Sequence, residues 1–143
     1  MAHVRVRDLM TTTVVTLFAE QTLPLAEDIM RYKHLRHLPV VDDARRLVGL
    51  VSHRDILRAQ ISGLVGFTPE QRRARQDHVK ISQIMTRDVW TTTPDTQADR
   101  AGTLLLDHSF GCLPVTEPDG TLVGIVTERD FLRYAIRRIA EPA

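Results

Sequence analysis

Two stretches of the chain read as apolar strands that run directly into a helix. Leu47 to Val51 is continuously apolar, which predicts a strand covered on both faces. The helix that follows would place Ile56, Leu57 and Ile61 on its inner side. Leu122 to Val126 repeats the pattern, and in its helix, Glu128 to Ile139, Phe131, Leu132, Ala135, Ile136 and Ile139 alternate inward against outward arginines. Ahead of the first of these stretches, Val4 to Met10 is a short lead-in and Val14 to Leu17 predicts a short buried strand from its β-branched and apolar run. From Gln21 or Thr22 a helix is expected, with Leu25, Ala26, Ile29 and Met30 at helical spacing as its buried face. Pro24 falls in its first turn, where a missing N–H is tolerated. Leu38 to Val41 reads as a second strand and Asp42 to Arg46 as a turn, so the unit is β-α-β-β-α. In the second half Thr96 can cap a helix with Asp99 at the third position. Ala101, Leu104 and Leu105 form that helix's apolar face, and Pro118-Asp119-Gly120 makes a hairpin turn before Leu122.

The second half is a copy of the first. A shift of 75 positions, Met10 to Met85, aligns Arg7 through Arg58 with the later chain without a gap. Met10-Thr11 meets Met85-Thr86, Leu38-Pro39-Val40 meets Leu113-Pro114-Val115, and Leu47-Val48-Gly49 meets Leu122-Val123-Gly124. Arg54-Asp55 and Leu57-Arg58 meet Arg129-Asp130 and Leu132-Arg133. Neither copy alone holds enough apolar side chains for a comfortable core. The expected fold is therefore α/β (α+β): two β-α-β-β-α repeats, residues 6–60 and 81–138, packed sheet to sheet with pseudo-two-fold symmetry. Residues 61–80 form a linker, loop-like through Ser62 to Pro69 with a short helix from Glu70 to Arg75.

Composition narrows the function classes. Of 143 residues, 43% are hydrophobic and 26% charged, as in a globular domain, and the net charge of +1 points to no polyanionic partner. Arg72, Arg73 and Arg75 sit beside Glu70 and Asp77 with no aromatic platform, so a solvated face is expected there, without nucleic-acid binding. A single cysteine, Cys112, excludes an intrachain disulfide framework. The N-terminus lacks a signal-peptide core, and no apolar run approaches the roughly 20 residues that span a membrane. A soluble cytoplasmic protein with no membrane partner is expected.

The candidate chemistry lies where the apolar strand meets the helix. Ser52 and Asp55, and in the second copy Thr127 and Asp130, would point from a strand end and a helix start into one cleft. An ionised carboxylate only accepts hydrogen bonds, and its two oxygens suit the two hydroxyls of a ribose. Helix N-termini near His53 and Glu128 add free N–H groups. The same Ser/Thr-x-x-Asp spacing is also close to a capping box, which needs no ligand.

Met-Thr at the opening, Leu-Pro-Val at the second strand and Gly-x-x-x-Ser/Thr-x-x-Asp at the end, each in the same order twice, resemble the CBS domain. The tandem resembles a CBS pair, or Bateman module, and implies a small stand-alone protein of that kind. The resemblance implies a regulatory module that binds an adenosine-containing ligand (AMP, ADP, ATP, NAD or S-adenosylmethionine) in the clefts between the repeats and assembles as a homodimer. It also places Arg36 and His37 near the ligand's phosphates, where the second copy has the uncharged Gly111 and Cys112. Arg54 and Arg129, beside the aspartates, are candidates for phosphate or for nearby carboxylates.

No catalytic set accompanies these residues. His34-x-x-His37 lacks a third metal ligand at matching spacing, and Cys112 lacks a His-Asp partner pattern. A non-enzymatic protein without a required cofactor or metal is expected. Two readings remain open: a sensor acting on an unidentified regulated partner or on its own dimer, and a ligand-free dimerisation or protein-interaction module in which the aspartates only cap helices. With two repeats filling these 143 residues, either is expected to act through another molecule.

Overall fold

The computed structural model describes residues 3–61 and 68–142. Ser62 to Phe67, the part of the linker expected to be a loop, lies outside the described residues. The fold is mixed α/β, with two separate two-stranded antiparallel sheets. In chain order the elements are α1 (Val6–Leu9), α2 (Leu23–Lys33), β1 (His37–Val41), β2 (Leu47–Ser52), α3 (His53–Ile61), α4 (Pro69–Gln76), α5 (Ile81–Ile84), α6 (Ala98–His108), β3 (Cys112–Thr116), β4 (Leu122–Thr127) and α7 (Glu128–Ala140). No helix among the described residues is long and apolar enough to cross a membrane.

The compact units do not coincide with the sequence copies. One unit runs from Val15 to Val89; the other joins the chain up to Val14 with everything from Trp90 onward. The lead-in of each copy has therefore changed places. Ile81 of α5 is fully buried with Leu17, Leu23, Ala26, Met30, Leu38, Val40, Val51 and Ile56. Val6 of α1, its equivalent 75 positions earlier, is fully buried with Ala98, Ala101, Leu105, Leu113, Val115 and Val126.

Two of the backbone hydrogen bonds that anchor each lead-in tie it to a hairpin strand. Thr86 and Leu50 exchange N–H···O=C bonds of 2.9 Å, and so do Thr11 and Ile125. The approach is close because the strand residue one position before each contact is glycine. A Cβ on Gly124 would lie 2.8 Å from Met10 Sδ and 3.1 Å from the Thr11 carbonyl oxygen; on Gly49 it would lie 2.6 Å from Met85 Sδ and 3.1 Å from the Thr86 carbonyl oxygen. The repeated Met-Thr and the repeated glycine are thus two sides of one contact.

The first expected strand of each copy is reduced to a single bridge. Leu17 pairs in parallel with Val40, and Thr92 with Val115. Leu17 N–H donates to the Pro39 carbonyl and Val41 N–H to the Leu17 carbonyl, both at 2.9 Å. Continuing the ladder two residues toward the N-terminus would need residue 39 to donate to the Val15 carbonyl, and proline has no N–H. Pro114 stops the second ladder in the same way. The proline costs β1 nothing on its other side, because Leu50, opposite Pro39, turns its own N–H and C=O to Thr86.

The helices bury narrower faces than the apolar pattern predicts. In α2 the buried stripe is Leu23, Ala26 and Met30, with Ile29 at its margin, while Leu25 is exposed. At 100° per residue Leu25 stands about 160° from Leu23, on the opposite side. α6 begins after Gln97, not at a Thr96 cap: the Thr96 N–H donates to the Thr93 carbonyl, and Asp99 accepts from Arg100 N–H. Ile56 of α3 is buried, but Leu57 and Ile61 are exposed. In α7 the side toward the core carries Asp130, Phe131 and Tyr134, whereas Leu132, Ala135, Ile136 and Ile139, expected inward, form an exposed stripe on the far side. α4 matches its expected position and is capped by Thr68, which accepts from Gln71 N–H while Gln71 Oε1 accepts from Thr68 N–H.

The lead-in contact is directly testable. Gly124→Ala forces Met10 and the Thr11 carbonyl back, and a loss of about 1–3 kcal/mol is expected from overpacking. Urea unfolding of the variant beside wild type measures it; an unchanged midpoint would show that the contact carries no stability.

Candidate functional site

In the unit from Val15 to Val89, the candidate residues gather at one end of the β1–β2 hairpin. His37 lies opposite Ser52 across the strands, and His53 N–H donates to the Arg36 carbonyl at 2.8 Å. The Ser52–Asp55 pair forms a complete capping box: Ser52 N–H donates to Asp55 Oδ2 at 2.8 Å, and Asp55 N–H donates to Ser52 Oγ at 3.2 Å. Arg36 and Arg54 are exposed and, among the described residues, their side chains hold no ion pair. The strand pairing thus brings Arg36, His37, Ser52 and Asp55 together, with Arg54 beside them at the start of α3.

The second copy uses the same spacing differently. Asp130 is 6% exposed, so its carboxylate requires partners. Oδ2 accepts from Thr127 N–H at 2.8 Å and from Thr127 Oγ1 at 3.3 Å. Oδ1 accepts from Thr11 Oγ1 at 3.3 Å and lies 3.6 Å from Arg133 Nη1. The Thr127 hydroxyl also donates to the carboxylate, and Thr127 and Asp130 form a capping box at the start of α7. One oxygen therefore serves the helix start, and the other faces the lead-in.

That second oxygen opens onto a cavity of about 470 Å³, lined by Leu9, Met10 and Thr11 of the lead-in and by Asp130, Arg133, Ile136 and Arg137 of α7. Arg133 is largely exposed, so its pairing with Asp130 is weak and readily exchanged. Arg137 has no carboxylate partner among the described residues. Arg129, the expected cation, is exposed and does not line this cavity. Of the lining residues, the spacing alone singles out only Asp130 as a site residue; Leu9, Met10, Thr11, Arg133, Ile136 and Arg137 come from the structure. The arginines could have been found at i+3 and i+7 from Asp130 on one helix face; Thr11, more than a hundred residues away, carried no such local signal. Among the described residues no group of three or more His, Cys, Asp or Glu side chains comes together as a metal site.

The CBS domain family model matches residues 6–62 and 81–137, and the chain belongs to the CBS domain family as a tandem pair, or Bateman module. It is similar to the homoserine O-acetyltransferase of Methanohalophilus mahii, with 31% identity over 127 residues that make up 89% of this chain and 23% of that protein. The chain spans 23–24% of the length of the three homoserine O-acetyltransferases it matches first. Among solved structures it resembles CBSX2 of Arabidopsis thaliana in complex with AMP, with a TM-score of 0.81, 28% identity, and coverage of 95% of this chain and 98% of that one. It also resembles the CBS domain pair of protein MJ0100 in complex with 5-methylthioadenosine and S-adenosyl-L-methionine, with a TM-score of 0.78, 26% identity, and coverage of 96% and 99%.

Cys112 stands opposite Thr127 at the start of β3, next to this site. Burial pushes its thiol up to about 12, because the thiolate would lose its hydration there. The folded protein therefore keeps Cys112 as a protonated, unreactive thiol at neutral pH. Ellman's reagent at pH 8 is expected to leave the native protein unlabelled and to react once per chain in denaturant; rapid native labelling would contradict the burial.

Proposed function

We propose that this CBS pair is a regulatory sensor of an adenosine-containing nucleotide and transmits its binding to a protein partner or to its own dimer. The observation that carries the reading is Asp130, a carboxylate with one oxygen fixed by its helix start and the other turned to a cavity. In this reading the ribose diol donates to Asp130 Oδ1, displaces the long contact from Thr11, and frees Arg133 to meet phosphate. Arg129, at the exposed start of α7, then adds only a long-range attraction for the anion. The AMP bound by CBSX2 and the 5-methylthioadenosine and S-adenosyl-L-methionine bound by the MJ0100 pair support the ligand class. NAD and ATP share the same adenosine ribose and remain within it. The proposed role is regulatory, and it assigns no chemical step to Cys112. The reading needs no cofactor.

A second reading fits the first copy better. The reciprocal bonds between Ser52 and Asp55 complete a helix cap without any ligand. With Arg36, His37 and Arg54 nearby it is still a candidate phosphate-facing end, but Asp55 is already satisfied. We propose that Asp130 is the principal ribose-reading residue and that Asp55 is first a cap.

Thermal unfolding with AMP, ADP, ATP, NAD or S-adenosylmethionine tests both. A ligand at a hundredfold over its dissociation constant adds about 2.7 kcal/mol, a shift of several degrees. The shift is expected to vanish in Asp130→Ala, while Asp55→Ala loses about 1 kcal/mol of apo stability through its cap. If none of the five ligands shifts wild type, the sensor reading fails and the module is structural.

The exposed apolar stripes support a homodimer. Leu57 (43% exposed) and Ile61 on α3, and Leu132, Ile136 and Ile139 (82% exposed) on α7, are more apolar side chains than a monomer's helix surface normally displays. Ile139→Glu is expected to convert a dimer to a monomer in multi-angle light scattering. A wild type that elutes as a monomer at high concentration would remove the dimer from the proposal.

A further inference from the structure

We infer that the α7 cavity selects nucleoside di- and triphosphates over the monophosphate and over S-adenosylmethionine, an inference that rests on the nucleotide-sensing reading above. Asp130, Arg133 and Arg137 fall at i, i+3 and i+7 and share one face of α7. At 1.5 Å of rise per residue, Arg133 and Arg137 start about 4.5 Å and about 10.5 Å beyond Asp130 along the axis. Long helical side chains lean toward the helix N-terminus, which brings both guanidinium groups back over the cavity floor. Both line the cavity, together with Thr11 and Asp130. Its ionised side chains are thus two cations against one anion.

The two arginines are differently committed. Arg133 Nη1 is 3.6 Å from Asp130 Oδ1, the atom that the ribose would take. Arg137 has no carboxylate partner among the described residues and is free for an anion. A ribose held at Asp130 lets a single phosphate reach Arg133. A second and third phosphate are needed to reach further along α7 to Arg137, where the planar fork of the guanidinium can bind phosphate oxygens in pairs. S-adenosylmethionine places a sulfonium cation where the nucleotides place phosphate, and with its ammonium and single carboxylate it keeps a net positive charge that the two arginines repel. The first copy cannot discriminate in this way, since residue 58 is arginine but residue 62 is serine in place of the second arginine. Selection by phosphate number therefore belongs to the α7 cavity alone.

Isothermal titration of ATP, ADP, AMP, S-adenosylmethionine and inorganic tripolyphosphate, without divalent cations, tests this on wild type, Arg137→Gln, Arg138→Gln and Asp130→Ala. ATP is expected to bind roughly tenfold or more tighter than AMP, the scale of one added charge-assisted contact. Arg137→Gln should bring the ATP-to-AMP ratio down toward unity. Arg138→Gln, which removes an exposed arginine that pairs with Glu141 outside the cavity, should keep the ratio. Asp130→Ala should weaken all the nucleotides together. AMP binding as tightly as ATP, or a ratio untouched by Arg137→Gln, overturns the selection and leaves the sensor reading standing. Tripolyphosphate binding as tightly as ATP also overturns it, by showing a bare anion patch. Failure of every nucleotide on wild type overturns the sensor reading itself.

Discussion

A short backbone contact ties the lead-in of the second unit to β4 and positions one wall of the candidate site. Thr11 exchanges two hydrogen bonds with Ile125 beside Gly124, and the absence of a side chain there lets the lead-in lie against β4. Once the backbone is pinned, the Thr11 hydroxyl falls within 3.3 Å of Asp130, although 119 residues separate them. Val6, five residues earlier, donates its N–H to the Thr96 carbonyl and lies in the core. Moving the lead-in by a few tenths of an ångström would therefore disturb a core residue, a sheet edge and a cavity wall together. Thr86, Leu50 and Gly49 make the same contact in the other unit, and Ile81 is its buried counterpart.

The two copies show how one motif can serve two ends. Buried polar side chains need hydrogen-bond partners, and among the described residues none is left without one. Asp55 meets the requirement locally, through Ser52 and the turn of α3. Asp130 meets it partly across the fold, through Thr11, and so keeps one oxygen on a cavity surface. A carboxylate satisfied by weak or long contacts is easier to hand over to a ligand than one locked in a reciprocal cap. The difference lies in the geometry around the aspartate and not in the motif.

Helix α7 distributes its side chains over three directions. Phe131 and Tyr134 turn to the core side; Arg133 and Arg137 turn to the cavity, with the buried Asp130 between these two sides; Leu132, Ala135 and Ile139 turn to solvent. Ile136 stands at the border between the last two. Apolar periodicity identified this helix and its ends correctly, but it assigned the exposed stripe to the interior. Periodicity reports that a face is apolar; it does not report what covers it, and a core-facing stripe and one left for another molecule have the same spacing. Leu57 and Ile61 on α3 are apolar at helical spacing and exposed in the same way.

The sequence by itself determined the duplication, the order of helices and hairpins, the family and the acidic residue at each helix start. All of these rest on local pattern or on direct repetition, which need no knowledge of distant neighbours. Only the tertiary structure decided that the lead-ins change places and that the first strand of each copy shrinks to one bridge. It also decided that Asp130, with Thr11, Arg133 and Arg137, is the carboxylate that meets a cavity. Those outcomes depend on contacts between residues far apart in the chain: a proline that withholds an N–H from a neighbouring segment, and a glycine that makes room for a methionine. Two copies nearly equal in sequence can differ in such contacts, so their functional inequality became visible only in three dimensions.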